Sequence, residues 1–160
     1  MPKLHRAFLA ASLRGSVPYM RQVFLWRRSM SYLCGLLKIG CALTTVSGPA
    51  IVQDGDTIYV QHQAIRLSGV DAEELSEPNG ARAKYALRNL IGSASVTCVF
   101  TGNYSYTRTV ARCYIGDTEI NRSIVASGWA LDCPKYSGGR YRQDEAPGAR
   151  ARLIQKPYCR

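Results

Sequence analysis

From residue 51 onward the chain is written in short runs of β-branched and aromatic residues broken by turn formers, and two stretches of helical periodicity interrupt that texture. Ile51-Val52, Thr57-Ile58-Tyr59-Val60 and Ala64-Ile65-Arg66-Leu67 have strand composition. Asp54-Gly55 and Gln61-His62-Gln63 stand between them as turns. Pro78-Asn79-Gly80 then opens a helix: Ala83, Ala86, Leu87, Leu90 and Ile91 recur on one face, Arg82, Lys84 and Arg88 fall off it, and Gly92 marks the stop. Residues 95–100 and 109–115 alternate as two strands of a hairpin, with Thr101-Gly102-Asn103-Tyr104-Ser105 between them. After Gly116-Asp117, a short helix over 120–127 buries Ile120, Ile124 and Val125 and ends at Gly128, and Trp129-Ala130-Leu131 is extended. This order, β-β-β-α-β-β-α, is that of a five-stranded OB barrel with its helix between the third and fourth strands. The expected class is α+β, with two to three helices. Beyond about residue 137 the Gly138-Gly139 and Pro147-Gly148 breaks predict an irregular tail in which 149–155 forms only a helical stub.

Charge divides the chain ahead of that domain. No acidic residue precedes Asp54, whereas Lys3, Arg6, Arg14, Arg21, Arg27, Arg28 and Lys38 are basic. The formal charge of +10 is therefore mostly a property of the N-terminal part, since the rest holds fourteen basic against eleven acidic residues. Basic residues lead into apolar runs at 32–37 and 39–43 and then into the small, polar Thr44-Thr45-Val46-Ser47-Gly48, the order of an export signal. Lys38 interrupts the apolar run, and a lysine at the centre of a spanning helix costs about 2.5–3.5 kcal/mol. The expectation is a targeting segment over 1–48, either cleaved or kept as a weak anchor touching the membrane, followed by a domain over 49–160. The protein is then exported, to the periplasm or beyond the cell.

Within the domain the charges are uneven. Six of the eleven acids lie between Asp54 and Glu77, while Lys135, Arg140, Arg142, Arg150, Arg152, Lys156 and Arg160 crowd the C-terminal part. An acidic cluster inside a mildly basic domain suits a cation site that meets an anionic ligand. Cys98, Cys113, Cys133 and Cys159 have no CxxC zinc spacing. In an exported domain they read as two disulfides with three open connectivities, or else as buried thiols. A hairpin centred near Ser105 sets Cys98 almost opposite Cys113, one of those pairings.

Three motifs carry chemistry: Asp54-Gly55-Asp56-Thr57, then the segment from Arg66-Leu67 through Val70-Asp71-Ala72-Glu73-Glu74, then Tyr106-Thr107-Arg108. Hydrolysis of a phosphodiester needs a hard cation held by carboxylates and carbonyls. It needs a further carboxylate to orient water, and guanidinium forks matched to phosphate oxygens. Asp54, Asp56, Asp71, Glu74, Arg66 and Arg108 supply each of these groups. Singly each has a plainer reading, as turn former, ion-pair partner or solvated charge, and Arg66 with Asp71 could be a buried pair. His5 and His62 match no partner spacing.

In these motifs, over about residues 51–136, the chain resembles the staphylococcal nuclease (thermonuclease) family, and 120–130 resembles that family's second helix and following turn. The resemblance implies a calcium-dependent nuclease that cleaves DNA and RNA with little sequence preference and leaves 3′-phosphates. Carried over position by position, it makes Asp56 and Asp71 calcium ligands through their side chains and Ala72 one through its carbonyl. Asp54 supports the metal from behind, Glu74 activates water, Arg66 and Arg108 bind the scissile phosphate, and Tyr106 contacts substrate. A monomer acting on DNA or RNA, with no stable protein partner, is implied. Glu73 stands where the family places proline, which predicts a looser loop and a second carboxylate competing with Glu74. The Gly128-Trp129-Ala130-Leu131-Asp132-Cys133 and Tyr136-Ser137-Gly138-Gly139-Arg140-Tyr141 stretches resemble nuclease-like proteins of rhizobial succinoglycan gene clusters. An accessory role in exopolysaccharide synthesis, or a non-catalytic nucleic-acid-binding module, is the alternative.

Overall fold

The computed structural model describes residues 45–160. The targeting segment read over 1–48 lies outside them, apart from residues 45–48. Those residues form the N-terminal half of β1 (Thr45–Val52) and pair with β5, so the barrel starts ahead of the boundary read from sequence.

β1 pairs antiparallel with β2 (Thr57–Val60), and β2 with β3 (Gln63–Leu67). On its other side β1 pairs with β5 (Ser95–Ser105), and β5 with β6 (Arg108–Ile115). Parallel pairing of β3 with β6 closes these five strands into the expected barrel. Closure leaves no open edge along those strands. The short β7 (Thr118–Glu119) extends β6, and β4 (Val70–Ala72) pairs with β8 (Ala130–Asp132) outside the barrel. α1 (Gly80–Ile91) links β4 to β5, and α2 (Ile120–Ala126) links β7 to β8. The tail carries only single turns: α3 (Pro134–Ser137), α4 (Ala149–Arg152) and 3₁₀ turns at Arg142–Asp144 and Pro157–Cys159.

Alternation puts Ile58, Val60, Ile65, Leu67, Val96, Ala111 and the Cys98–Cys113 disulfide inside the barrel. The register sets Cys98 directly against Cys113, as the hairpin reading allowed. α1 covers one end with Gly80, Ala83, Leu87 and Ile91. Leu90, expected on that face, is 38% exposed, because the buried stripe is a narrow one.

Asn121 locks α2 to the barrel. Its amide is fully buried: Oδ1 accepts from the Cys113 N–H at 3.0 Å, and Nδ2 donates to the Ser68 carbonyl at 3.0 Å and the Ala111 carbonyl at 3.3 Å. Ser68 follows β3 and leads to β4, so this side chain fixes the stretch that carries Arg66 and Asp71.

Candidate active site

Arg66 lies opposite Thr57 across the β2–β3 pair and beside Val110 of β6, with Arg108 two residues earlier on the same face of β6. Arg108 Nη1 donates to Thr57 Oγ1 at 3.0 Å and Nη2 to Ser105 Oγ at 3.3 Å. Between Phe100 and Tyr104 β5 bulges. Such a bulge re-aims the residues that follow it. Here the hairpin tip, with Tyr106 at φ +56° and 95% exposed, comes to border the site. A cleft of about 680 Å³ results, with Arg66, Glu74, Tyr106 and Arg108 on its walls.

Asp54, Asp56, Asp71 and Ala72 are buried next to Arg66 and do not line that cleft. The aspartate loop is tight. Asp54 Oδ1 accepts the Asp56 N–H at 3.0 Å, and a Cβ on Gly55 would stand 2.6 Å from the Cβ atoms of both Ala72 and Ala83. Only glycine lets this loop reach β4 and α1. Asp56 forms an ion pair with Arg66, the partner that spacing alone suggested for Asp71. Asp56 Oδ1 also accepts from Thr57 Oγ1, and Oδ2 accepts the Ala72 N–H at 3.2 Å. Arg66 Nη2 donates to the Val70 carbonyl at 3.2 Å. Burial pushes the Arg66 guanidinium below its ordinary value; Tyr158, Asp54 and Asp71 oppose that shift and Arg108 adds to it.

The donor set can be tested against a hard cation, which takes oxygen ligands. Asp71 Oδ1 is buried with no hydrogen-bond partner, an anionic oxygen left for something positive. Asp56 Oδ2 receives one N–H and keeps acceptor capacity. Among the described residues no three His, Cys, Asp or Glu side chains gather round one point. Asp71 Oδ1 and Asp56 Oδ2 are thus the side-chain oxygens left for a divalent ion, whose other ligands would be backbone, water and substrate oxygens.

Burial raises the pKa of Asp71, against smaller opposing effects of the Lys156 backbone bond and of Arg66. The sign follows directly. A carboxyl group whose folded value exceeds its unfolded one favours the fold below the ordinary carboxylate range, and that contribution is lost as pH rises through the raised value. At neutral pH this linkage works against folding of the metal-free protein. Asp71→Asn should raise the Tm of chelator-treated protein by roughly 2–4 °C, measured by calorimetry at pH 7.

Glu73 and Glu74 part company. Glu73 turns inward, 3% exposed, and its Oε2 accepts the Asn79 N–H at 2.8 Å at the start of α1. Its Oε1 accepts Asn79 Nδ2 at 3.1 Å and the Ile154 N–H at 3.3 Å. The looser loop and competing carboxylate expected from the missing proline are therefore not what forms. A carboxylate at a helix N-terminus meets unpaired N–H groups and the favourable end of the dipole. Glu74 stays exposed. Its N–H donates to Glu77 Oε2 at 2.6 Å, its carbonyl accepts the Glu77 N–H at 2.8 Å, and Gly80 sits so close that a Cβ there would lie 1.8 Å from that carbonyl oxygen.

Sequence reasoning missed the C-terminal contribution. The Cys133–Cys159 disulfide brings the chain end back to the site, where Tyr136 and Tyr158 join the cleft wall. The Lys156 N–H donates to Asp71 Oδ2 at 2.9 Å, and Lys156 Nζ pairs with Glu77. The tail's surplus of basic residues was the one available signal.

A family model described as staphylococcal nuclease homologue matches residues 64–152, more than half of the chain. The chain belongs to that family. The matched region takes in Arg66, Asp71, Glu74 and Arg108 and begins after the aspartate loop. The chain is similar to the succinoglycan biosynthesis protein ExoI of Rhizobium meliloti (strain 1021), with 32% identity over 112 residues, 62% of this chain and 59% of that protein. It is also 31% identical over 91 residues to an uncharacterized endonuclease of Haemophilus influenzae (strain ATCC 51907 / DSM 11121 / KW20 / Rd), covering 54% of this chain and 51% of that protein. The chain thus spans little more than half the length of these two family relatives. Family and fold agree on a nuclease-like domain.

Proposed function

We propose that this domain is a calcium-dependent phosphodiesterase that hydrolyses DNA and RNA with low sequence specificity. The observation that carries the reading is the shared cleft: two arginines and an exposed glutamate face it, beside a buried aspartate with an unpartnered oxygen. Asp56 and Asp71, with the Ala72 carbonyl as a third protein ligand, would hold calcium, which would supply positive charge against a phosphate oxygen. Asp54 holds the loop that presents Asp56. Arg66 and Arg108 bind the remaining phosphate oxygens and stabilise the charge that builds on them. Each such donor is worth a factor of ~10²–10³ in rate. Glu74 takes the proton of a water attacking phosphorus. The bond to the 5′ oxygen breaks, that oxygen takes a proton from solvent, and a 3′-phosphate remains. Tyr106 borders the bound strand.

The N-terminal segment, with its early basic charges, directs export to the periplasm or beyond in this reading, and the protein acts as a monomer. Similarity to a succinoglycan biosynthesis protein supports a second reading, an accessory role in exopolysaccharide production without cleavage. One assay separates them. Purified protein should degrade single-stranded DNA and RNA in calcium, stop on addition of a chelator, and yield 3′-phosphorylated ends. Protein that calcium does not stabilise and that leaves both polymers intact would favour the accessory role.

A further inference from the structure

The cleft has one wall that the hydrolytic reading above does not use. Residues 154–159 run back over the acidic side of the site, where three of their attachments are to Asp71, Glu73 and Glu77. The Ile154 N–H bonds Glu73, the Lys156 N–H bonds Asp71, Lys156 Nζ pairs with Glu77, and Gln155 Nε2 donates to the Asp132 carbonyl at 2.7 Å. The Pro157–Cys159 turn then plugs Cys159, fully buried, into its disulfide with Cys133, which itself borders the cleft. Between two anchors, Lys156 and Cys159, stands Tyr158. It is 45% exposed and lines the cleft with Arg66, Glu74 and Arg108.

We propose that Tyr158 is a substrate-positioning residue, delivered by the disulfide-anchored tail, whose ring stacks on the nucleobase next to the phosphate held by Arg66 and Arg108. The inference rests on the hydrolytic reading for the identity of the ligand. Three features support it. An aromatic face half open to a cleft that also holds two guanidinium groups is the combination that grips single-stranded nucleic acid: charge tracks the backbone and rings take the bases. The backbone that carries the ring is anchored on both sides, at Lys156 and Cys159, so stacking need not order that segment. Among the described residues the Tyr158 hydroxyl has no hydrogen-bond partner, unlike that of Tyr141, which is buried and donates to Glu119 Oε1 at 2.6 Å. Because the tail is held at Cys159, the grip depends on the oxidised Cys133–Cys159 pair. A thiol reductant that converts it to two cysteines, becoming a disulfide itself, frees the segment.

The test compares Tyr158→Ala, Tyr158→Phe and the double variant Cys133→Ser/Cys159→Ser in the full chain. Steady-state cleavage of a single-stranded oligodeoxynucleotide gives KM and kcat. Fluorescence anisotropy of a labelled oligothymidylate in calcium, on a Glu74→Gln background, gives binding without consuming the probe. Tyr158→Ala should raise KM and weaken binding roughly 5- to 100-fold, with kcat held within about twofold, and Tyr158→Phe should restore both, as a ring rather than a hydroxyl is required. The double variant, checked for an intact barrel by circular dichroism, should lose at least as much binding as Tyr158→Ala. Unchanged KM and binding in Tyr158→Ala, a loss confined to kcat, or a phenylalanine no better than alanine would each overturn the inference. A wild type that cleaves nothing, yet binds the oligothymidylate more tightly than Tyr158→Ala, would sink the hydrolytic reading while sustaining this one. Absence of any binding would sink both.

Discussion

Glu74→Gln should cut the rate of phosphodiester cleavage by about 10²–10⁴, the range typical of a positioned general base, while Tm and calcium affinity stay at wild-type values. The structure makes this a clean substitution. The Glu74 side chain is exposed, and the bonds that hold its loop use the backbone: its N–H to Glu77 and its carbonyl to the Glu77 N–H. The close approach of Gly80 to that same carbonyl fixes where the residue sits without involving its carboxylate. Glutamine keeps the shape and loses the basicity. If Glu74 instead served only as one charge among several on this face, the variant would retain most of its activity and would show a weaker salt dependence. Single-turnover rates with a fluorogenic oligonucleotide, read beside a melting curve, separate the two.

Asn121→Ala should destabilise the domain by about 3–5 kcal/mol, since each buried polar group left without its partner costs about 1–3 kcal/mol. Two groups lose their bond outright, the Cys113 N–H and the Ser68 carbonyl. The Ala111 carbonyl keeps the Ser68 N–H at 2.8 Å and suffers less. For a domain of this size the expected fall in Tm is roughly 10–20 °C. Cleavage should fail at a lower temperature than the barrel melts, because the first stretch released is the one between Arg66 and Asp71. Denaturant melts of Asn121→Ala and of Asn121→Asp check the argument. Aspartate can accept from Cys113, but its ionised carboxylate would be buried facing the Ser68 and Ala111 carbonyls with nothing to donate, so at neutral pH it should destabilise at least as much as alanine.

The barrel was readable because its strands are half-buried and alternate, a local signal. The N-terminal half of β1 was hidden for a local reason too. Val46, Ser47, Gly48 and Pro49 carry no alternation, and what makes them a strand is long-range pairing with residues 95–98 of β5. β4, three residues long and fully buried, is too short for any period to show, whereas the equally short β8 overlaps the extended stretch read at Trp129-Ala130-Leu131. Hairpin geometry left Cys98–Cys113 as one of the open pairings, and strand register makes it the one that forms. Cys133–Cys159 depended on the path of a tail without periodicity. Arg66, Glu74 and Arg108, singled out by motif order, come together on one cleft, with Asp71 buried beside it. Their neighbours were not legible: Lys156 meets Asp71 from 85 positions away, and Asn121 reads in sequence as an ordinary polar residue in the first turn of a short helix. Glu73 misled for the opposite reason. Its position beside Glu74 suggested a rival, while its side chain had an unpaired helix terminus within reach.

The proposed function depends on a cation that the buried Asp56 and Asp71 carboxylates would take up next to Arg66 and Arg108. Calorimetric titration of calcium into the wild type and into Asp71→Asn tests this most directly. One calcium per chain in the wild type, with the binding heat abolished in the variant although its fold is intact, is the predicted result. Equal calcium binding by the two proteins, or none by either, would contradict it.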